Sequence, residues 1–365
     1  MEDVFFELVQ VALGNRECLS RVPNEQEWKE LFALCQKQAI SGIVFQGLNI
    51  LSSYGPKPPL TVLYEWIGCV QTIETRNRIV NKRCLEISQE FTNDGFKTCI
   101  LKGQGNAVLY PKPLLRTPGD IDLYIINKTN KDVIRYVKKR NSKGRVLYHH
   151  IDMGNYKDVE VEVHYRPTFM FNLVHNRRLQ KYYVAQLSQI EVELPEKAGC
   201  ISVPNWQFNI IFQLSHVYNH LLHEGIGLRQ ILDYYYLLKS GNSNQVHDSR
   251  FKVNGSSENW EQMLNYLGLK KIAGAMMWLL NEVLGLSEEY QIAPKDERRG
   301  RVLLEEIMKG GNFGHYDAEN QKANSAIKKN LQRIRRDFRM MRYFPSECIW
   351  EPVFRLYHWI WRLAY

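Results

Sequence analysis

The chain has 365 residues, of which 44% are hydrophobic and 24% charged. This length fits two or three domains, and the composition excludes a disordered, collagenous or low-complexity chain. Forty-eight Lys and Arg stand against 39 Asp and Glu, and the resulting net charge of +9 mildly favours anionic partners such as nucleotides, nucleic acid or a membrane surface. The 7 cysteines form no C-x-x-C pair, which argues against a disulfide framework or zinc ribbon and fits a reducing compartment. The N-terminus, MEDVFFELVQ, lacks the basic segment of a signal peptide. The longest apolar stretch, Gly268 to Leu286, is interrupted by Lys270, Lys271, Asn281 and Glu282. It reads as a buried or interfacial helix and not as a transmembrane segment. The expectation is a soluble, cytoplasmic protein.

Residues 1–95 read as a helical region. Asn24 ahead of Glu25 and Glu27 is a cap-like start, and Trp28, Leu31, Phe32 and Cys35 recur at helical spacing. Pro56, Pro58 and Pro59 break the pattern, and a second long periodic segment runs to the turn signal Asn93-Asp94-Gly95. The texture changes at Phe96. Thr98 to Leu101 predicts a short strand ending at Lys102-Gly103, and a short helical piece then runs to Tyr110. After the loop Pro111-Lys112-Pro113, Asp120 to Ile126 predicts a second strand and Lys131 to Arg140 a basic helix. Arg145 to Ile151 and Val159 to Tyr165 predict two more strands, joined near Gly154-Asn155. Residues 96–200 are thus expected to form a small α+β domain with a mixed sheet. From 201 to 365 the pattern is helical again, with Phe208, Ile211, Phe212, Ser215 and Tyr218 at three- and four-residue steps. A polar loop spans Ser240 to Glu258, and Gly310-Gly311 marks a break. The fold class read from this order is α+β, with helical regions on both sides of the sheet.

Side chains alternate between faces along a strand, so Asp120, Asp122 and Tyr124 share one face and Ile121, Leu123 and Ile125 the other. Two carboxylates at this spacing suit a hard cation such as Mg²⁺, although a solvent-facing strand shows the same pattern. In Val159 to Tyr165 the alternation is strict. Val159, Val161, Val163 and Tyr165 are expected inward, with Glu160, Glu162 and His164 opposite. If this strand lies beside the first, Glu162 joins the two aspartates, with Glu160 as the reserve. Three carboxylates can hold two divalent ions for phosphoryl transfer. Upstream, a strand running through Lys102-Gly103 into a helix offers backbone N–H groups and one cation to an anion, without a P-loop or a dinucleotide fingerprint.

Taken together, Leu101-Lys102-Gly103, Tyr110-Pro111-Lys112-Pro113, Arg116, Gly119 to Leu123 and Glu162-Val163-His164 resemble the nucleotidyltransferase superfamily of DNA polymerase beta type. They look closest to its bacterial branch of uncharacterised nucleotidyltransferases. A second similar stretch is His223 to Gln230, followed by Asp233. The resemblance implies that Asp120, Asp122 and Glu162 hold Mg²⁺ or Mn²⁺, with Glu162 helping to deprotonate an acceptor hydroxyl. It also implies that Lys102 and Gly103 contact a triphosphate and that Arg116 clamps phosphate charge. Two departures stand out: Lys-Gly replaces the Gly-Ser of many members, and the third acid is Glu where Asp is commoner.

His216, His220 and His223 fall on one helix face, where they can line a cleft, sit satisfied in the core or ligate a metal. Arg229 is spaced either to pair with Asp233 or to reach a nucleotide phosphate. Lys322 to Arg342 is a one-signed basic run, either a solvated face or a surface for nucleic acid or anionic lipid. Tyr357, Trp359, Trp361 and Tyr365 read as a helix docking on the body or at a membrane interface. Tyr234 to Tyr236 is expected to bury two of its three rings. The functional expectation is a Mg²⁺-dependent enzyme that moves a nucleoside monophosphate from an NTP donor to a hydroxyl on a small molecule, an RNA or a protein, releasing pyrophosphate. The alternative is a catalytically silent nucleotide- or RNA-binding protein on the same fold.

Overall fold

The computed structural model describes residues 1–51, 55–241, 257–316 and 326–363. The chain opens with helices α1 (Glu2–Leu13), α2 (Glu25–Lys37), α3 (Ser41–Leu51) and α4 (Leu60–Asn93). Asn24 and Glu27 close a reciprocal capping box at the start of α2, each side chain accepting the other's backbone N–H. The distal half of α4 carries Val80, Cys84, Ile87 and Phe91, an apolar stripe at helical spacing.

That stripe underlies a four-stranded sheet of β1 (Thr98–Ile100), β2 (Ile121–Ile125), β3 (His150–Tyr156) and β4 (Val159–His164), in the order β1-β2-β4-β3. β2 and β4 are parallel, and the other pairs are antiparallel. The short helix α5 (Gln104–Ala107) follows β1, and α6 (Asn130–Arg140) crosses from β2 towards β3. Ile121, Leu123 and Ile125 of β2 and Val159, Val161 and Val163 of β4 join the α4 stripe and Val133, Ile134 and Val137 of α6 in one buried cluster. One sheet face is therefore dry, which leaves Asp122, Tyr124, Glu162 and His164 on the other, as the alternation requires.

Beyond the sheet run α7 (Leu173–Gln186), the hairpin β5 (Gln189–Glu193) and β6 (Cys200–Pro204), then α8 (Trp206–His223) and α9 (Leu228–Ser240). The helices α10 (Ser257–Leu267), α11 (Lys270–Trp278), α12 (Glu297–Gly310), α13 (Ala326–Met341) and α14 (Pro345–Arg362) complete the described residues. A second, larger core draws together α1, α3, α8, α9, α11 and Phe354 of α14. The molecule is mostly helical with a small mixed sheet, the α+β class read from the sequence.

Several local expectations are corrected. The β3–β4 connection is Lys157-Asp158, and Gly154 lies inside β3 at a bulge, where its φ of 79° is a left-handed value that glycine tolerates. The segment before β3 contributes only the bridge Val146–Ile151. The β5–β6 hairpin had not been anticipated. All of Tyr234, Tyr235 and Tyr236 are buried, because the chain packs on α9 from every side. Trp361 stacks on Tyr165 and approaches Tyr148, so α14 docks on the body, while Trp359 remains exposed. Most of the 240–258 loop, Lys322 and Tyr365 lie outside the described residues. Among the described residues no helix is long and apolar enough to cross a membrane.

Candidate active site

The polar face of the sheet forms the floor of a cleft of 1390 Å³. Asp122 and Glu162 are direct partners in the β2–β4 register, so their side chains project from neighbouring strands on the same side. Asp120 precedes β2 by one residue and lines the cleft with Glu162. The three acids are thus brought to one place, but not equivalently. Asp120 is partly exposed, whereas Asp122 is 2% exposed.

Cations of the chain already compensate the buried pair. Lys102 Nζ lies 3.1 Å from Asp122 Oδ1 and 3.2 Å from His216 Nε2. The lysine expected to contact a triphosphate folds its long side chain down onto the acids and lines the cleft. Burial opposes its charge, but the carboxylates of Asp122, Asp120 and Glu162 outweigh that and raise its pKa above the ordinary lysine value. His164 Nε2 lies 3.0 Å from Asp122 Oδ1 and 3.4 Å from Glu162 Oε2. Burial disfavours the imidazolium, yet these two acids raise His164 to about 9, so it is protonated and donates. Burial likewise pushes Glu162 up, but its hydrogen bond from His164 and the charges of His150, His164 and Lys102 bring it down to about 2.

Gly103 turns the chain from β1 into α5 with φ 58°, a left-handed value that favours glycine. Arg229, on α9, reaches back to the loop ahead of the acids. Its Nη1 donates to the carbonyls of Thr117 and Pro118 at 3.2 and 3.3 Å, and burial lowers its pKa to about 10. It lines the cleft and braces the loop that carries Gly119 and Asp120. Arg116 does something different from the phosphate clamp the sequence led us to expect. It is 4% exposed, and its Nε and Nη2 donate to the two oxygens of Asp233 at 2.6 and 2.7 Å, while Tyr110 donates to Asp233 at 2.6 Å. The partner of Asp233 is therefore Arg116 and not Arg229. This buried triad ties α9 to the segment before β2, and Asn77 of α4 donates to the Leu114 and Arg116 carbonyls from the other side.

Histidines are the groups the sequence reading underweighted. His149 and His150 join His164 on the floor, with His149 Nε2 and His150 Nδ1 3.0 Å apart and His150 Nε2 3.0 Å from Asp152 Oδ1. The His-His-x-Asp run at the start of β3 was the available signal. His216, His220 and His223 line the cleft from α8 and do not converge on one point: His216 faces Lys102, whereas His223 packs on Phe171. Burial, with Lys102 and neighbouring histidines, keeps His216 well below the usual imidazole value.

A divalent cation fits this floor. Asp122 Oδ2 is buried and has no hydrogen-bond partner among the described residues, which leaves that oxygen free to take a ligand. Carboxylate oxygens of Asp122 and Glu162 lie within 4.8 Å of one another. Carboxylate oxygens dominate the donor set, as Mg²⁺ or Mn²⁺ requires.

No curated protein matches the chain. It is similar to a crystallised antigenic nucleotidyltransferase-like protein from Paracoccidioides brasiliensis, at 12% identity and a TM-score of 0.34 over 63% of this chain and 96% of that one. Residues 24–285 match the model of the family described as uncharacterised nucleotidyltransferase. That span covers α2 through α11 and every acid of the cleft floor, and on it the chain belongs to this nucleotidyltransferase family.

Proposed function

We propose that the protein transfers a nucleoside monophosphate from an NTP to an acceptor hydroxyl, with a divalent cation at the cleft floor. The observation that carries this reading is the Asp122–Glu162 register beneath Lys102, with an Asp122 oxygen left unsatisfied. Asp120, Asp122 and Glu162 would hold Mg²⁺ or Mn²⁺, which when bound supplies positive charge to the phosphate oxygens of the donor. The acceptor oxygen forms a bond to the α-phosphorus, the bond from that phosphorus to the bridging oxygen breaks, and pyrophosphate leaves. Glu162, ionised through the working pH range, accepts a hydrogen bond from the acceptor hydroxyl and orients it. With a pKa of about 2 it does not retain the proton, which passes on to solvent. Lys102 fixes Asp122 and adds its charge to the phosphate end of the cleft. Gly103 permits the turn that brings Lys102 over the acids, and Arg229 holds the loop that presents Asp120.

A second reading is favoured by the same ion pairs. Lys102 and His164 already balance Asp122, so the fold is charge-compensated without any ion and would serve a catalytically silent nucleotide- or RNA-binding protein. A screen of the four NTPs with Mg²⁺ or Mn²⁺, reading pyrophosphate release, separates the two. Release that disappears in Glu162→Gln supports transfer. Nucleotide binding without release under every donor and acceptor tried supports the silent scaffold.

A further inference from the structure

The transfer reading leaves the acceptor unidentified, and the wall of the cleft opposite the acids narrows its chemistry. Residues 326–341 of the basic run read from the sequence as a surface for nucleic acid or lipid form α13, which packs against α8. Arg333, Arg335, Arg336 and Arg339 of α13 line the same cleft as Asp120 and Glu162. Their three- and four-residue steps bring them to one side of the helix. Glu306 of α12 fixes that side: its carboxylate lies 2.8 Å from Arg339 and 4.0 Å from Arg336. Arg335 is exposed and has no acidic partner among the described residues.

Two quantities bear on what binds there. A pocket for one small ligand occupies roughly 300–1000 Å³. The cleft, at 1390 Å³, exceeds that range and leaves room beside an NTP. Among the described residues, the cleft is lined by eight Lys or Arg side chains against four Asp or Glu. Asp120, Glu160 and Glu162 gather at the floor, and Arg145, 3.4 Å from Asp152, already has a partner, so the cleft's unpaired positive charge lies on α13. Glu351 lies 3.8 Å from Arg333, so of the four α13 arginines Arg335 alone has no acidic partner among the described residues, and a donor nucleotide with its cation at the floor leaves it without a counter-anion. Guanidinium groups bind phosphate oxygens in pairs, with a geometry that a neutral sugar or peptide hydroxyl does not use.

We propose that the acceptor carries a phosphate group, held by the α13 arginines around Arg335, with its reactive hydroxyl directed towards Glu162. This inference rests on the transfer reading, in which that hydroxyl displaces pyrophosphate and loses its proton to solvent. The phosphate can belong to the terminal nucleotide of an RNA or to a small sugar phosphate, and the same recognition serves both.

The test is binding of a short fluorescein-labelled oligoribonucleotide, followed by anisotropy over a range of salt, with competition by a ribose phosphate and by plain ribose. Wild type is expected to bind the oligonucleotide or the ribose phosphate and to ignore ribose. Arg335→Glu is expected to weaken that binding about tenfold or more and to flatten its salt dependence by about one phosphate contact. The thermal shift produced by Mg²⁺ and NTP should persist in the same variant. Arg333→Gln is a milder second variant, expected to weaken binding in the same direction if the reversal at 335 perturbs folding. Preference for RNA over the ribose phosphate assigns a polynucleotide end, and the reverse assigns a metabolite. The inference is overturned if neither phosphate probe binds better than ribose. It is also overturned if both folded variants bind as wild type does, or if they lose NTP stabilisation and phosphate binding together, which would make the arginines donor contacts. Loss of NTP stabilisation in wild type, with arginine-dependent phosphate binding intact, would count instead against the transfer reading.

Discussion

Asp122→Asn and Asp120→Asn remove the same charge two residues apart, and the structure predicts opposite effects on stability in the absence of metal. Asp122 is buried and lies 3.1 Å from Lys102 Nζ and 3.0 Å from His164 Nε2. At an effective dielectric constant of about 20, each contact is worth about 5 kcal/mol before desolvation. Glu162 and Asp120 remain to offset part of the loss, and His164 can release its proton. The expected cost is therefore that of breaking a buried pair from one side, about 3–5 kcal/mol. Asp120 is partly exposed and makes no ion pair among the described residues, so Asp120→Asn is expected to change stability by no more than about 0.5 kcal/mol. Two like charges on one strand face imply repulsion between the two aspartates. The structure replaces it with compensation by Lys102 and His164. Urea denaturation of wild type and both variants in EDTA, analysed at constant slope, measures the difference. If Asp122→Asn unfolds at the wild-type midpoint, the buried ion pair is not formed and the electrostatic account of the site is wrong.

Arg116→Ala strands Asp233 with only Tyr110 and is expected to cost about 3–5 kcal/mol, while Arg116→Lys recovers only part because the two-pronged contact is lost; equal urea midpoints for wild type and Arg116→Ala would show that the triad contributes nothing. Asp337 on α13 is pushed up to about 7 by burial and by the charge of Glu351, against the pull of Arg333, Arg355 and Arg336. A carboxyl raised on folding stabilises most below its unfolded value of 3.8 and loses that contribution as pH rises through about 7. Asp337→Asn should therefore raise the melting temperature more at high pH than at low pH, and a uniform shift across pH would refute the assignment. Gly103→Ala forces an alanine to φ 58° and should cost about 1–2 kcal/mol, with weaker NTP stabilisation, because the turn carries Lys102 over the acids; an unchanged denaturation midpoint would show that this turn relaxes freely.

The acid pair and the strand faces were legible because β periodicity is local: the apolar residues of β2 and β4 can only point to the dry side. The hairpin β5–β6 was not, since Gln189 to Glu193 reads as polar and gains its place by packing on β1, with Gln189 donating to the Thr98 carbonyl. Gly154 signalled a break in regular backbone, but a bulge and a turn make the same demand for positive φ. The direction of Lys102 could not be read at all. A flexible four-carbon side chain goes where the charge is, and the charge is set by residues 20 and 60 positions away. The pairing of Asp233 followed the same logic, passing over its helical neighbour Arg229 for Arg116 across the fold. The basic run was visible as composition, and only the packing of α13 on α8 reveals that it walls the cleft of the acids.

The central claim is that Asp120, Asp122 and Glu162 form one nucleotide–cation site. Its most direct measurement is the melting temperature of wild type and Asp120→Asn with Mg²⁺ or Mn²⁺ and each NTP, singly and together. The Asp120 variant is chosen because its own fold is expected to be unperturbed. The account predicts that at least one NTP stabilises wild type only when the divalent ion is present, and that this increment is lost in Asp120→Asn. Stabilisation of both proteins to the same extent, or of neither by any combination, would contradict it.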